Sequence, residues 1–182
     1  MSGIIELLAA SGDRTPCSVP ARKADGVPAV YLHSGKLVIA AQPTQITTIL
    51  GSCVAVCVWD PVTRVGGMNH FMLSIDAGAQ TATPRYAKYA TATLLVDVTL
   101  EGANLARLEA KIFGGACMMA AFRGTGQDLG TQNVEAARRI LASAGVPIVA
   151  EDVGGEHGRK LIFNTGNGVA LVKKVLVSPA LR

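Results

Sequence analysis

Aromatic side chains are scarce in this chain, at 4% of its 182 residues, and charged residues make up only 16%. The basic residues are dispersed as short doublets, such as Arg138-Arg139 and Lys173-Lys174, and the formal net charge is +4. Proteins that bind nucleic acids combine a continuous basic surface with aromatic stacking platforms. The sequence therefore predicts no nucleic-acid partner, and its mildly basic surface suits an acidic protein partner instead.

The chain also lacks an apolar run that approaches the ~18 residues needed to cross a membrane. Residues 1–8 have no basic region, and Glu6 interrupts their short apolar stretch, so a secretory signal is not expected. We therefore predict a cytoplasmic protein without membrane insertion.

Cysteine is present at four positions, but neither the spacing of a redox or zinc motif nor the density of a disulfide scaffold is found. Cys53 and Cys57 are four residues apart and, with His70, would supply only three metal ligands, whereas a structural zinc needs four. We predict reduced thiols and no metal. Cys57 and Cys117 lie among apolar or small residues, which favours ordinary core packing.

Hydrophobic residues make up 49% of the chain, enough to bury one core in a single domain. Short apolar runs separated by turn residues predict strands in the first half. The expected strands cover residues 30–33 and 36–40, joined as a hairpin, then 46–50, and then 53–59 and 67–73, which return antiparallel across Asp60-Pro61.

The second half predicts two helices and further short strands. A four-residue repeat of buried positions, ending in Leu94 and Val98, predicts a helix over residues 85–100. A second helix is expected over residues 133–144, with Asn133 as its N-cap and Gly145 as its end. The remaining runs, at 108–112, 148–150, 161–163 and 169–172, predict strands. This order indicates an α+β fold and not a repeating βαβ fold.

The residue types with the clearest chemistry are a cysteine in Gly51-Ser52-Cys53 and a histidine seventeen positions later, His70. A free cysteine is a competent nucleophile only when an imidazole or backbone dipoles help to form its thiolate. If the two strands pair antiparallel, His70 returns towards the Cys53 end. Taken alone, such a pair is more often structural packing than a catalytic site.

The surrounding sequence changes that balance, because five blocks in order resemble the chemoreceptor glutamine deamidases of bacterial chemotaxis, the CheD family. These blocks are TTILGSCVAV at 47–56, GMNHFML at 67–73, AKIFGGA at 110–116, NVE at 133–135 and EDVGG at 151–155. The resemblance covers residues 36–177 as one deamidase-like domain. Residues 1–35 would be an N-terminal extension and residues 178–182 a C-terminal tail.

The resemblance implies a layered α/β sandwich with a mixed or antiparallel sheet and flanking helices. It also implies a catalytic triad of Cys53, His70 and Thr47, with Thr48 as the rival for the third position. The backbone N–H groups of Ser52 and Cys53 would stabilise the oxyanion, and no metal or organic cofactor would be needed. The expected reaction is deamidation of receptor glutamines to glutamate through a thioester, with glutamyl methyl ester hydrolysis as a possible second activity.

The partners implied are the cytoplasmic helices of chemoreceptors, as the substrate, and a CheC-type phosphatase. A non-catalytic binding module for that phosphatase is the alternative function. A protein that only binds does not need a nucleophile and a base, so the presence of all the candidate triad residues favours the enzyme.

Overall fold

The computed structural model describes residues 21–22, 26–74, 83–117 and 128–175. The helices and strands follow in the order β1 (Ala21–Arg22), β2 (Pro28–Tyr31), β3 (Lys36–Ala40), β4 (Gln45–Leu50), β5 (Val54–Trp59), β6 (Gly66–His70), α1 (Ala87–Leu100), a 3-10 turn (Leu105–Arg107), β7 (Glu109–Gly114), α2 (Leu129–Ala144), β8 (Ile148–Val153), β9 (Gly158–Asn164) and β10 (Ala170–Val175). No helix in these ranges is long and apolar enough to cross a membrane.

The strands form two five-stranded sheets. The first sheet has the order β1-β2-β4-β9-β10, and the second sheet has the order β3-β6-β5-β7-β8. The pairs β2/β4 and β7/β8 are parallel, and the other neighbours are antiparallel, so both sheets are mixed. The predicted α+β class is confirmed, and the division into two sheets is the feature that the strand pattern did not predict.

Strand β5 determines how the layers stack, because it is buried on both faces. Val54, Val56 and Val58 join the hydrophobic core formed with α1 and α2, whereas Ala55 and Cys57 join a second core formed with the first sheet. A strand buried on both faces has a continuous apolar sequence without polar alternation. The molecule therefore has three layers: the first sheet, the second sheet and the helices.

Both helices end where they were predicted to end, but α1 begins two residues later than predicted, at Ala87, and α2 begins four residues earlier, at Leu129. Ala90, Leu94 and Val98 are fully buried along α1, as the four-residue repeat predicted. Helix α2 ends as predicted, with Gly145 in the left-handed region at φ 70°. The prediction of Asn133 as its N-cap was wrong. The helix begins four residues earlier, where the Asp128 carboxylate accepts a hydrogen bond from the N–H of Thr131.

The predicted hairpin between residues 30–33 and 36–40 was also wrong, because β2 and β3 belong to different sheets. The N–H of Leu32 donates to the carbonyl of Thr47 and extends the parallel pairing of β2 with β4. The N–H of Gly35, at φ 71°, donates to the carbonyl of His70, and β3 then pairs with β6. Two apolar runs around a Ser-Gly turn look the same whether they pair or diverge. This crossing places residues 32–35 beside His70.

The predicted return of the chain across Asp60-Pro61 is confirmed by the pairing of β5 with β6. Asp60 is fully buried and accepts hydrogen bonds from Arg107 and from the N–H groups of Asn104 and Val62. Burial alone would raise the pKa of this carboxyl, but these donors outweigh burial and hold the pKa well below its usual range. The turn that joins the two site-bearing strands is therefore fixed to the segment after α1.

Candidate active site

Cys53 lies in the tight turn between β4 and β5, which is held by the neighbouring loop. The N–H of Gly115 donates to the carbonyl of Cys53 at 2.9 Å, and the N–H of Ala116 donates to the carbonyl of Gly51 at 2.8 Å. Gly114, at φ 106°, passes so close that any Cβ there would collide with the Cys53 carbonyl oxygen. The nucleophile candidate is therefore placed on a rigid turn.

His70 reaches the same end of the molecule on β6. The N–H of Val54 donates to the carbonyl of Phe71 at 3.1 Å, and the N–H of Phe71 donates back at 3.0 Å. Cys53 and His70 immediately precede these two residues, so their side chains lie on the same face of the second sheet as diagonal neighbours. That face looks towards the first sheet.

A threonine of the first sheet contacts the imidazole across this layer. Thr48 Oγ1 lies 2.9 Å from His70 Nδ1 and 2.7 Å from the carbonyl oxygen of Leu32. A carbonyl only accepts, so the single hydroxyl proton goes to Leu32 when both contacts are hydrogen bonds. His70 then donates its Nδ1 proton to Thr48, and Nε2 keeps a lone pair. Nε2 is buried and has no hydrogen-bond partner among the described residues.

Thr48, and not Thr47, is the threonine that the structure brings to His70. Side chains alternate along β4, so Thr48 shares the inner face with the buried Ile46 and Leu50. Thr47 is half-buried and lies on the opposite face of the sheet. The sequence register placed the third triad position on Thr47, one residue away, and a one-residue difference in a strand selects the other face.

The electrostatics of the pair favour neutral groups in the resting protein. Burial raises the pKa of the Cys53 thiol, and a hydrogen bond with its own backbone N–H offsets this only in part. Burial also lowers the pKa of His70 from 6.5 to about 4. The Leu32 carbonyl acts in the opposite direction and raises this pKa, whereas His33 lowers it slightly further. The site therefore holds a thiol and a neutral imidazole at neutral pH, and not a preformed ion pair.

The low pKa of His70 predicts an acid-sensitive fold. In the unfolded chain this residue binds a proton below its ordinary pKa of 6.5, whereas in the folded chain it does so only near pH 4. The stability that the neutral imidazole contributes is therefore complete above pH 6.5 and falls as the pH drops towards 4. Between about pH 7.5 and 4.5 we expect the free energy of unfolding to fall by about 2 to 3 kcal/mol more in the unchanged protein than in His70→Gln. Urea unfolding of both proteins at each pH measures this difference, and equal losses would contradict the buried neutral imidazole.

The two predicted oxyanion donors make no hydrogen bond to a backbone carbonyl. The N–H groups of Ser52 and Cys53 donate to no carbonyl of the described residues, and the N–H of Cys53 lies against its own thiol. They precede the first ladder hydrogen bond of β5, which begins at Val54. Unpaired N–H groups beside a nucleophile are the usual construction of an oxyanion-binding site.

Of the other cysteines, Cys57 lies away from this arrangement. Cys57 is 1% exposed in the core between the sheets, as predicted, and burial raises the pKa of its thiol far above the usual range. Cys117 is half-buried, and its N–H donates to the carbonyl of Gly155. Cys17 lies outside the described residues. Within the part of the chain that the structure describes, no group of three or more His, Cys, Asp and Glu side chains is arranged to hold a metal ion.

One residue at the site was missed by the sequence reasoning. Asn133 is fully buried on α2, and its Nδ2 atom donates to the carbonyl of Ser52 at 3.0 Å and to that of Met72 at 2.9 Å. The signal was available, because Asn133 precedes Ala137 and Leu141 on the apolar stripe of the helix. A polar residue on a buried helical face needs a hydrogen-bond partner elsewhere in the fold.

Known proteins resemble this chain over most of its length. A sequence model of the family described as CheD chemotactic sensory transduction matches residues 72–174. The chain is 49% identical over 146 residues to the protein named "Probable chemoreceptor glutamine deamidase CheD 1" of Anaeromyxobacter dehalogenans, a match that covers 80% of this chain and 84% of the relative. This chain belongs to the CheD family.

A second CheD relative, named "Probable chemoreceptor glutamine deamidase CheD", comes from Stenotrophomonas maltophilia and is 41% identical over 147 residues, which is 81% of this chain and 73% of the relative. Among solved structures, the hypothetical protein YfiH of Bacillus licheniformis aligns with a TM-score of 0.41 at 19% identity, over 63% of this chain and 49% of that one. The resemblance to the CheD family inferred from the sequence blocks is confirmed. The match to the family model begins two residues after His70, so the roles of Cys53 and His70 depend on the geometry.

Proposed function

We propose that this CheD protein is a cysteine-dependent hydrolase that deamidates glutamine side chains of chemoreceptors to glutamate. The relatives at 41% and 49% identity are named as chemoreceptor glutamine deamidases, which supports the substrate class. The observation that carries the chemistry is the His70 imidazole, which Thr48 holds through Nδ1 on the same face and at the same end as Cys53, while Nε2 has no partner in the described part of the chain. A nucleophile with an adjacent base in this arrangement can hydrolyse a side-chain amide.

In the proposed reaction, Nε2 of His70 takes the Cys53 thiol proton as sulfur attacks the carboxamide carbon of the glutamine. The N–H groups of Ser52 and Cys53 stabilise the tetrahedral oxyanion. The imidazolium returns its proton to the nitrogen, ammonia leaves, and a thioester remains. His70 then activates a water molecule, which hydrolyses the thioester to glutamate and regenerates the thiol. The same thioester would also form from a glutamyl methyl ester, with methanol as the leaving group.

Thr48 is the third member of the proposed site. Its hydroxyl accepts the Nδ1 proton of His70 and so keeps the tautomer whose Nε2 can act as a base. A hydroxyl orients an imidazole as the carboxylate does in other triads, but it stabilises the imidazolium less strongly. The low pKa of His70 agrees with this, because burial lowers it and a neutral group, the Leu32 carbonyl, opposes burial.

The substrate segment in this proposal is the cytoplasmic helical part of a chemoreceptor, which requires a cytoplasmic enzyme. A CheC-type phosphatase is the proposed regulatory partner. The basic excess of +4 would accelerate association with an acidic helical surface and would add little to specificity.

Mass spectrometry of a receptor cytoplasmic fragment tests the function directly. The fragment is incubated with the purified protein, with Cys53→Ala in parallel, and its peptides are searched for glutamine converted to glutamate. Conversion by the unchanged protein alone supports the proposal. A fragment that binds the protein and remains unconverted in both samples would contradict the deamidase and support the binding module.

The threonine pair offers a matched test of the third position. Thr48→Val keeps the shape of the side chain and removes the oxygen that holds Nδ1, so we expect kcat to fall about 10- to 100-fold with a smaller change in KM. Thr47→Val makes the same chemical change on the opposite face and is expected to leave kcat within about threefold. Steady-state kinetics on the receptor fragment compare the two. A larger loss in Thr47→Val would return the third position to Thr47.

A further inference from the structure

The turn that carries Cys53 and the strand that carries His70 separate directly after the Val54–Phe71 pair, which lies at the site end of the β5/β6 pairing. Val54 and Phe71 exchange both backbone hydrogen bonds, and the next position of the same register sets Cys53 opposite Met72. Beyond this point the chain of β6 turns away, since the N–H of Met72 donates to the carbonyl of Arg85. Backbone pairing therefore does not hold the two catalytic segments together at the site itself.

Asn133 joins these two segments where the ladder ends. Its Nδ2 atom donates at 3.0 Å to the carbonyl of Ser52, the residue before Cys53, and at 2.9 Å to the carbonyl of Met72, two residues after His70. Both acceptors are carbonyl oxygens, so the amide orientation is fixed by the chemistry. One nitrogen with two protons can reach both carbonyls, which a hydroxyl or an aliphatic side chain cannot do.

The identity of this residue is not explained by packing. Asn133 is fully buried on the apolar face of α2, together with Val134, Ala137 and Leu141. Its Oδ1 atom is buried and has no hydrogen-bond partner among the described residues. A buried acceptor without a partner destabilises a fold, and an apolar residue would avoid that penalty. The amide is thus retained for its two donated hydrogen bonds.

We propose that Asn133 is a positioning residue that sets the distance and orientation between Cys53 and His70 by clamping the Ser52 and Met72 carbonyls. This inference rests on the proposed cysteine mechanism. Without the clamp, the part of the nucleophile turn that precedes the Val54–Phe71 pair is held from the side of Gly115 and Ala116, and no hydrogen bond from Asn133 fixes its separation from the Met72 carbonyl. A shift of about 1 Å between reacting groups lowers a rate about 100-fold.

The test compares Asn133→Asp and Asn133→Ala with Leu141→Ala. Asp keeps the shape and removes both donors, and Ala removes the side chain without adding charge. Leu141 is fully buried two turns further along the same helix, and its aliphatic side chain makes no hydrogen bond, so its truncation lowers stability without releasing the clamp. Urea unfolding shows that each variant is folded under assay conditions.

Two readouts separate positioning from general destabilisation. The first is kcat and KM on the receptor fragment, and the second is the rate of Cys53 alkylation by 2-chloroacetamide as a function of pH. We expect both Asn133 variants to lower kcat about 100-fold with KM within about threefold, and to slow alkylation about tenfold at neutral pH. Their alkylation should follow the profile of a thiol without a base. Leu141→Ala should keep both values within about threefold.

Equal effects in Leu141→Ala and the Asn133 variants would overturn the positioning role, as would unchanged alkylation in both Asn133 variants. Alkylation needs no receptor, so it separates the two proposals. If the unchanged protein converts no receptor glutamine, the deamidase proposal fails, and the alkylation rates still decide whether Asn133 aligns Cys53 with His70.

Discussion

Cys53→Ala is expected to lower the rate of receptor deamidation by at least about 10⁴-fold, because removal of a covalent nucleophile leaves only binding and oxyanion stabilisation. The matched control is Cys57→Ala, which removes a second thiol from the same face of the same sheet four residues further on. Cys57 is buried between the sheets, so its truncation costs stability and leaves the site chemistry intact. Deamidation is followed by mass spectrometry with all three proteins.

A comparable loss of activity in both cysteine variants would point to a general effect on the fold. Retained activity in Cys53→Ala would remove the thioester from the mechanism. Trapping offers an independent check, since a thioester on the intact protein should be found only when Cys53 is present. Peptide mapping then assigns the acylated residue.

His70→Gln is expected to lower kcat about 10²- to 10⁴-fold, the range over which a positioned general base accelerates proton transfer. Burial raises the pKa of the Cys53 thiol, so little thiolate exists at neutral pH unless His70 removes the proton. The matched control is His33→Gln, because His33 is exposed and reaches the site only through its charge. We expect this control to keep kcat within about threefold.

The pH dependence of kcat/KM adds to this test. With the pKa of His70 lowered to about 4, the imidazole stays neutral and able to accept a proton well below pH 6.5. The acidic limb of the profile should therefore lie below the ordinary range of histidine and should be absent in His70→Gln. A limb near the ordinary histidine value would contradict a buried, desolvated imidazole in the free enzyme.

Much of the fold followed from local pattern. The continuous apolar run of β5, the return across Asp60-Pro61 and the repeat of α1 each depend on residues close together in the chain. The end of α2 at Gly145 was predicted for the same reason. The start of α2 was missed because the cap at Asp128 precedes the apolar repeat by several residues. Asn133, which is also a common N-cap residue, lies directly before that repeat, so the predicted start was placed there.

The sequence by itself determined the α+β class, the family blocks and the antiparallel return that brings His70 towards the Cys53 end, since these depend on residue type, order and the spacing along two adjacent strands. Only the tertiary structure decided that the strands divide into two sheets, that Thr48 and not Thr47 meets the imidazole, and that Asn133 bridges the segments that carry Cys53 and His70. These features join residues far apart in the chain. Their distances depend on how layers stack and on which face of a strand points inward, and a shift of one residue reverses that face without changing the local pattern.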